Sequence, residues 1–268
     1  MTAHLSFQGL TIRIRLLITI IVTALLVGCS GDANDKPFIA DVVVYNGPGS
    51  WDASVTASIE AVRSAGYSVD TIDASGILKD NLRSYNTVIF PGGDPRDILG
   101  SLSSVGRMNV RSFVSSGGGL IGFGGGAAIA DSSSGIYPGF GLFTGEADYP
   151  VYLINTPPSY TLTTITLNDD TNPVGRNGQS TYQTLYSDGP QFRFTDIFVS
   201  VVYNYNTTGT AAGIAFTFSR GRVFLAGFQP EFEENSPRDS TDFGHDLYDS
   251  DTEWDIIDRA VKYCLWEL

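Results

Sequence analysis

The sequence is poor in the side chains that carry most nucleophilic and acid–base chemistry. It has two cysteines, Cys29 and Cys264, and two histidines, His4 and His245. Two cysteines cannot build a disulfide framework. Basic residues are also scarce, with 16 Lys and Arg against 29 Asp and Glu and a net charge of −13. A surface this acidic repels polyanions, which argues against nucleic acid as a partner. The apolar run near the N-terminus, residues 16–27, has 12 residues, fewer than the about 20 a helix needs to span a bilayer. There is no internal repeat and no low-complexity tract.

What is present begins with that N-terminal run. His4, Arg13 and Arg15 precede it, no acid occurs in the first 28 residues, and Leu26-Val27-Gly28-Cys29-Ser30 follows. A basic stretch, a short apolar core and small residues at its end read as a secretory signal. The Leu-Val-Gly-Cys end resembles a bacterial lipobox. That resemblance implies cleavage before Cys29, lipid on its thiol, and a diacyl or triacyl anchor in the lipid bilayer, which holds far better than one chain. Ser30 in place of Asp resembles an outer-membrane sorting signal in a diderm. The expected organisation is a signal peptide over 1–28, a tether over 29–37 and one domain over 38–268, in the cell envelope. Without the signal, 14 bases face 29 acids.

The first half of the domain alternates apolar runs with helical patterns. Residues 38–45 form a β-branched run of the kind buried on both faces of a parallel sheet. Ser50 is placed to cap a helix carrying Val55, Ile59 and Val62, which Gly66 stops. Strands are expected over 67–72 and 87–90 and a short helix over 77–82. Helical stretches follow, over 97–102 and then with Val110, Phe113 and Val114 on one face. A buried strand over 119–123 closes the series. This β-α-β-α order predicts an α/β fold, a flavodoxin-like parallel sheet flanked by helices. Ligands of such sheets sit beyond the carboxyl ends of the strands, where three glycine loops fall, at 47–49, 92–93 and 124–126. After Asp131 the pattern changes to Thr-, Tyr- and Phe-rich strands, expected over 151–154, 160–167, 197–204, 213–218 and 223–228. They read as an antiparallel extension, with a hairpin at Arg220-Gly221. The stretch 231–255 holds ten acids and one base, Arg238, and reads as a solvated loop. Ser250 to Glu253 reads as a capping box, opening a last helix with Trp254, Ile257, Val261, Cys264 and Leu265 on its apolar face.

The stretch that organises the domain is Gly117 to Ala130. A strand over 119–123 runs through a glycine turn into a helix from Ala127, the geometry of a nucleophile elbow. Its apex is Gly124, so the scaffold of a reactive site is present without a reactive atom. The glycines answer the turn's need for positive φ and close helix–strand approach.

Pro91-Gly92-Gly93, the elbow and Gly227-Phe228-Gln229-Pro230-Glu231 are spaced as in the class I glutamine amidotransferase-like domains. Within that group the chain resembles the biotin-protein ligase N-terminal-domain family. Tyr45-Asn46-Gly47-Pro48-Gly49, the run from Val110 to Ala130 and Tyr186-Ser187-Asp188-Gly189-Pro190 carry that likeness, over roughly residues 38 to 265. In active relatives a cysteine stands at the apex, the histidine of a His-Pro-Glu motif activates it, and two backbone amides hold the oxyanion. Carried over, the cysteine position is Gly124, the histidine position is Gln229, Glu231 keeps the triad acid, and Gly93 and Gly125 supply the amides. Nucleophile and base are both absent, so the resemblance implies a degenerate site without the family's thiol chemistry.

Little else can replace them. Cys264 lies on the apolar face of the last helix and reads as an inert core thiol. His245 reads as solvated, and a triad through it would need a serine on an elbow. Asp249, Asp251 and Glu253 alternate as in part of a calcium loop, but the full pattern is absent. Paired carboxylates for glycoside hydrolysis require a separation that sequence cannot supply. The glycines around 124 sit at the fourth strand, not the first, which argues against a dinucleotide fingerprint. No cofactor and no metal is expected. The expected function is binding of a small carboxylate, amide or peptide end by Gly92, Gly93, Gly124, Gly125, Gln229 and Glu231, without turnover. The alternative is a hydrolase or amidotransferase that uses other groups.

Overall fold

A computed structural model describes residues 36–131 and 138–268. The expected signal peptide, Cys29 and most of the tether lie outside the described residues. The elements in chain order are β1 (Ala40–Tyr45), α1 (Asp52–Ser64), β2 (Val69–Ile72), α2 (Ala74–Leu78), β3 (Tyr85–Phe90), α3 (Pro95–Ser115), β4 (Gly119–Phe123) and α4 (Gly125–Ala128). Then come β5 (Glu146–Asp148), β6 (Thr161–Leu167), β7 (Thr181–Tyr186), β8 (Gln191–Arg193), β9 (Ser200–Tyr205), β10 (Ala211–Phe218), β11 (Gly221–Ala226) and α5 (Trp254–Cys264). Among these, no helix is long and apolar enough to cross a membrane.

The strands share one sheet, in the order β2-β1-β3-β4-β11-β10-β9-β6-β7. The first five are parallel, and the pairings from β11 through β10, β9 and β6 to β7 are antiparallel. Short β8 joins β10, and β5 joins β8. The parallel part has the flavodoxin strand order, with its switch point between β1 and β3. Alternation along each strand sends side chains to two cores. Val42, Val44, Ile89, Ile121 and Phe123 meet Val55 and Val62 of α1 and Ile257 and Val261 of α5. Val43, Tyr45, Val88, Phe90 and Leu120 meet Ile98, Leu102, Val110 and Val114 of α3. Both faces are covered, which explains why these strands read as unbroken apolar runs.

Local expectations fail in several places. Trp51, not Ser50, is the N-cap of α1, and no side chain caps it; Ser50 Oγ instead donates to the Gly47 carbonyl at 2.7 Å. The helix expected over 77–82 is α2, capped by Asp73 from Gly76 N–H, followed by a 3-10 turn, Asn81–Ser84. The two stretches expected before Gly117 form one element broken at Ser103 (φ 53°). Residues 151–154 are not a strand: Tyr152 and Leu153 point to solvent, and the segment is a turn. β7 has no counterpart among the expected strands, although buried Tyr182 and Thr184 alternate with exposed Thr181 and Gln183. Glu253 caps α5 in helical conformation with no side-chain cap, so no capping box forms.

The largest departure is the acidic stretch 231–255, which is not a solvated loop. Glu231, Glu233, Glu234, Asp239, Asp249 and Glu253 are all buried. Aromatic contacts hold the segment down. Phe243 packs on Phe232 at 4.8 Å, on Tyr160 at 4.7 Å and on Trp51 at 5.9 Å between ring centroids. Arg238, its one base, stacks on Trp254 at 4.0 Å. Apolar anchoring of this kind outweighs the tendency of acids to stay in water.

Candidate functional site at the β4 elbow

The site is assembled where β1, β3, β4 and β11 end. β4 delivers Gly124 with φ 50° and ψ −125°, a strained backbone that side chains rarely tolerate. Its amide is held by the Ala226 carbonyl of β11 at 2.9 Å. The next residue has no room for a side chain, because a Cβ on Gly125 would collide with the Gly93 carbonyl. The Pro-Gly-Gly loop and the elbow thus touch backbone to backbone. The amides of Gly93 and Gly125 meet no acceptor among the described residues.

Gln229 fills the space at the apex. It is fully buried, and a Cβ added to Gly124 would lie 2.6 Å from its Nε2. Its Oε1 accepts the Ser187 amide at 3.2 Å, and its backbone amide donates to the Leu185 carbonyl at 3.0 Å. Nε2 itself has no hydrogen-bond partner among the described residues. The Gln229 side chain therefore places an unmatched amide donor against the Gly124 apex.

Glu231 points elsewhere. It is fully buried, and its Oε1 accepts a short hydrogen bond, 2.5 Å, from Ser54 Oγ of α1. Ser54 Oγ in turn accepts the Gly92 amide at 2.7 Å. This relay ties the Pro-Gly-Gly loop to Glu231. Burial pushes the Glu231 carboxyl up to about 8, and the Ser54 bond offsets only part of that. At neutral pH it is a neutral acid that braces the loop.

Two residues of the site carry no sequence signal that assigns them a role. Ser54 has no motif, but its spacing with buried Ser58 marks the inner face of α1. Asp188 stands between Ser187, which binds Gln229, and Gly189, where a Cβ would lie 3.0 Å from Gly124 Cα. It is half-buried with Oδ1 unpartnered. Burial, then the nearby Asp94 charge, raises it to about 6. The other candidates lie away from the elbow. Cys264 is buried and its thiol is pushed up to about 12 by burial, as an inert core cysteine requires. His245 is partly buried rather than solvated, with Nε2 at 2.7 Å from the Ser236 carbonyl.

The contact at the apex is testable. Gly124→Ala should cost about 1–3 kcal/mol through backbone strain, plus a clash with Gln229. The same change in a Gln229→Ala background should cost less, because only strain remains. Denaturant unfolding of the four proteins measures the difference, and equal costs would mean that Gln229 does not occupy the apex. The second expectation concerns pH. Folded Glu231 keeps its proton up to about 8, whereas the unfolded chain loses it near the ordinary 4.5. Its contribution to stability is therefore full below 4.5 and is lost as pH rises towards 8. Glu231→Gln, a neutral isostere, should have a melting temperature that falls less over this range than the wild type; parallel curves would refute the assignment.

The family described as biotin-protein ligase, N terminal, matches residues 40–134, the part that contains the elbow. No curated protein matches the chain in sequence. Solved structures do match in fold. A protein from Thermoplasma acidophilum described as a GMP synthase component has a TM-score of 0.56 at 13% identity, over 87% of this chain and 97% of that one. PurLQS from Thermotoga maritima gives 0.54 at 17% identity, over 85% and 99%. A ThuA-like protein from Bacteroides uniformis gives 0.55 at 14% identity, over 88% and 95%. At such identities the likeness is one of fold, an α/β sheet like those of these three structures, and the biotin-protein ligase N-terminal match is confined to residues 40–134.

Proposed function

We propose that this protein is a lipid-anchored envelope protein whose glutamine amidotransferase-like domain binds a small amide, carboxylate or peptide end without turning it over. One observation carries the reading: at an elbow with the backbone of a reactive site, an unpartnered glutamine amide fills the nucleophile's place. A buried donor without a partner costs about 1–3 kcal/mol, and a ligand oxygen would relieve it. The amides of Gly93 and Gly125 add further donors on the same spot. Asp188, with its free Oδ1 beside the apex, adds an acceptor. Donors and an acceptor together favour a primary amide, whose oxygen would face Gln229 and whose NH2 would face Asp188. Asp188, Asp94 and Tyr149, which lie near one another, are only partly covered. The lipid anchor rests on the basic n-region, the apolar core and the Leu-Val-Gly-Cys sequence before Ser30.

A second reading, a hydrolase or amidotransferase with other groups, draws on Asp188, whose raised carboxyl suits acid–base chemistry. One experiment separates the two. L-glutamine, L-asparagine and acetamide should raise the melting temperature of the wild type and not of Asp188→Asn, with no ammonia released. Ammonia release that Asp188→Asn abolishes would favour the hydrolase, and no thermal response at all would remove the binding reading. Anchoring has its own test: Cys29→Ser should move the protein from the membrane to the soluble fraction, and an unchanged distribution would count against lipidation.

A further inference from the structure

The acidic segment that folds back onto the domain contains a second feature, separate from the elbow. Most of its acids have donors. Glu233 is met by Thr252 Oγ1 and by Arg238 at 3.6 Å. Asp239 accepts the amides of Glu233 and Thr241 at 3.0 and 2.9 Å. Asp246 accepts Tyr160 Oη at 2.6 Å, and Asp255 accepts Tyr182 Oη and Arg259, both at 2.7 Å. Three acids are treated differently. Glu234, Asp249 and Glu253 each bring a carboxylate oxygen to within 4.8 Å of the other two. They are 5%, 9% and 1% exposed, and none has an ion-pair partner among the described residues.

Glu234 is the telling member. Both of its oxygens are buried and without a hydrogen-bond partner, and the neighbouring Asp249 Oδ2 and Glu253 Oε1 are also unpartnered. The side chains closest to it are other carboxyls, Asp249 and Glu253. Burying one unpaired carboxylate is costly, and burying three together compounds the cost unless a cation or protons compensate. The segment's one base, Arg238, is committed to Glu233 and to the Trp254 ring. Among the described residues, no side-chain donor is turned to these unpartnered oxygens.

We propose that Glu234, Asp249 and Glu253 form a binding site for a hard divalent cation of calcium size. Oxygen-only ligands suit calcium, which binds them at about 2.3–2.6 Å. Two oxygens on opposite sides of such an ion stand about 5 Å apart, so a set no wider than 4.8 Å lies within reach of one ion. A thiolate or imidazole, which a zinc site would favour, is absent from the cluster. The site joins Glu234, just after the stretch leading from β11, to Asp249 and to Glu253 at the head of α5. A bound ion would clamp both ends of the stretch between Glu234 and Glu253, which carries Phe243. Burial and the surrounding carboxylates push all three carboxyls upward, as expected of oxygens that protons occupy when no cation does.

The test uses the full-length protein, stripped of metal with a chelator and held at mildly alkaline pH so that protons compete less. Calcium chloride alone is then titrated while heat of binding and melting temperature are followed. The expected result is one ion per chain and a rise in melting temperature of several degrees, of the size that saturating a native-state site produces. Glu234→Gln combined with Glu253→Gln should fold, since it removes buried charge, and should lose the response; Asp249→Asn alone should weaken binding at least tenfold. Absence of calcium binding by the wild type overturns the site whatever the variants do. An undiminished response in the double variant, which would place the ion on other surface acids, overturns it as well. So does a stronger response to magnesium than to calcium.

Discussion

Everything at the elbow depends on a backbone-to-backbone contact. The Gly93 carbonyl lies against Gly125, where a Cβ has no room, so the ends of β3 and β4 are held at a fixed separation. That contact sets where the Gly92 amide meets Ser54 Oγ, and hence where Ser54 Oγ meets Glu231. It also fixes the height of Gly124 relative to β11, whose Ala226 carbonyl takes its amide. Residues 124 and 229 then meet as a consequence of sheet geometry. A strained turn persists because the surrounding structure over-determines it.

The same geometry sets the roles of the two polar side chains that follow β11. Gln229 turns its amide to the apex, while Glu231 bonds to α1. Glu231 acts as a structural brace, and its neutrality at ordinary pH makes a fully buried location tolerable. Buried carboxyls recur elsewhere in this acidic chain. Those that have donors are well paired, as Asp239 is with the amides of Glu233 and Thr241, whereas Glu234, Asp249 and Glu253 are not. The difference concerns pairing, since burial is common to both groups.

Much of the fold was legible in the sequence. The strands β1, β3 and β4 announce themselves as continuous apolar runs because helices cover both faces of the sheet. The elbow is legible from its glycines, since few other residues accept such backbone angles. The acidic segment misleads because composition reports the average preference of acids for water, and four aromatic rings, two of them more than 70 residues away in sequence, reverse it locally. β5 and β8 have three residues each, too few for alternation to register. Ser50 looks like a cap because its residue type suits one; the chain turns one residue later, and its hydroxyl closes the Gly47 loop instead.

The sequence alone determined that the apex of the β4 turn carries no side chain and that a glutamine follows β11, because these are facts of residue identity. It also determined the parallel core, since local hydrophobic periodicity reports two-sided burial directly. Only the tertiary structure decided the partners. Ser54 and Glu231 are 177 positions apart, and nothing in the pattern near either one points to the other. The packing of α1 on the sheet joins them, as strand order joins Gln229 to Gly124. The pairing of distant polar groups depends on which strands become neighbours, a property of the whole chain that no short window contains.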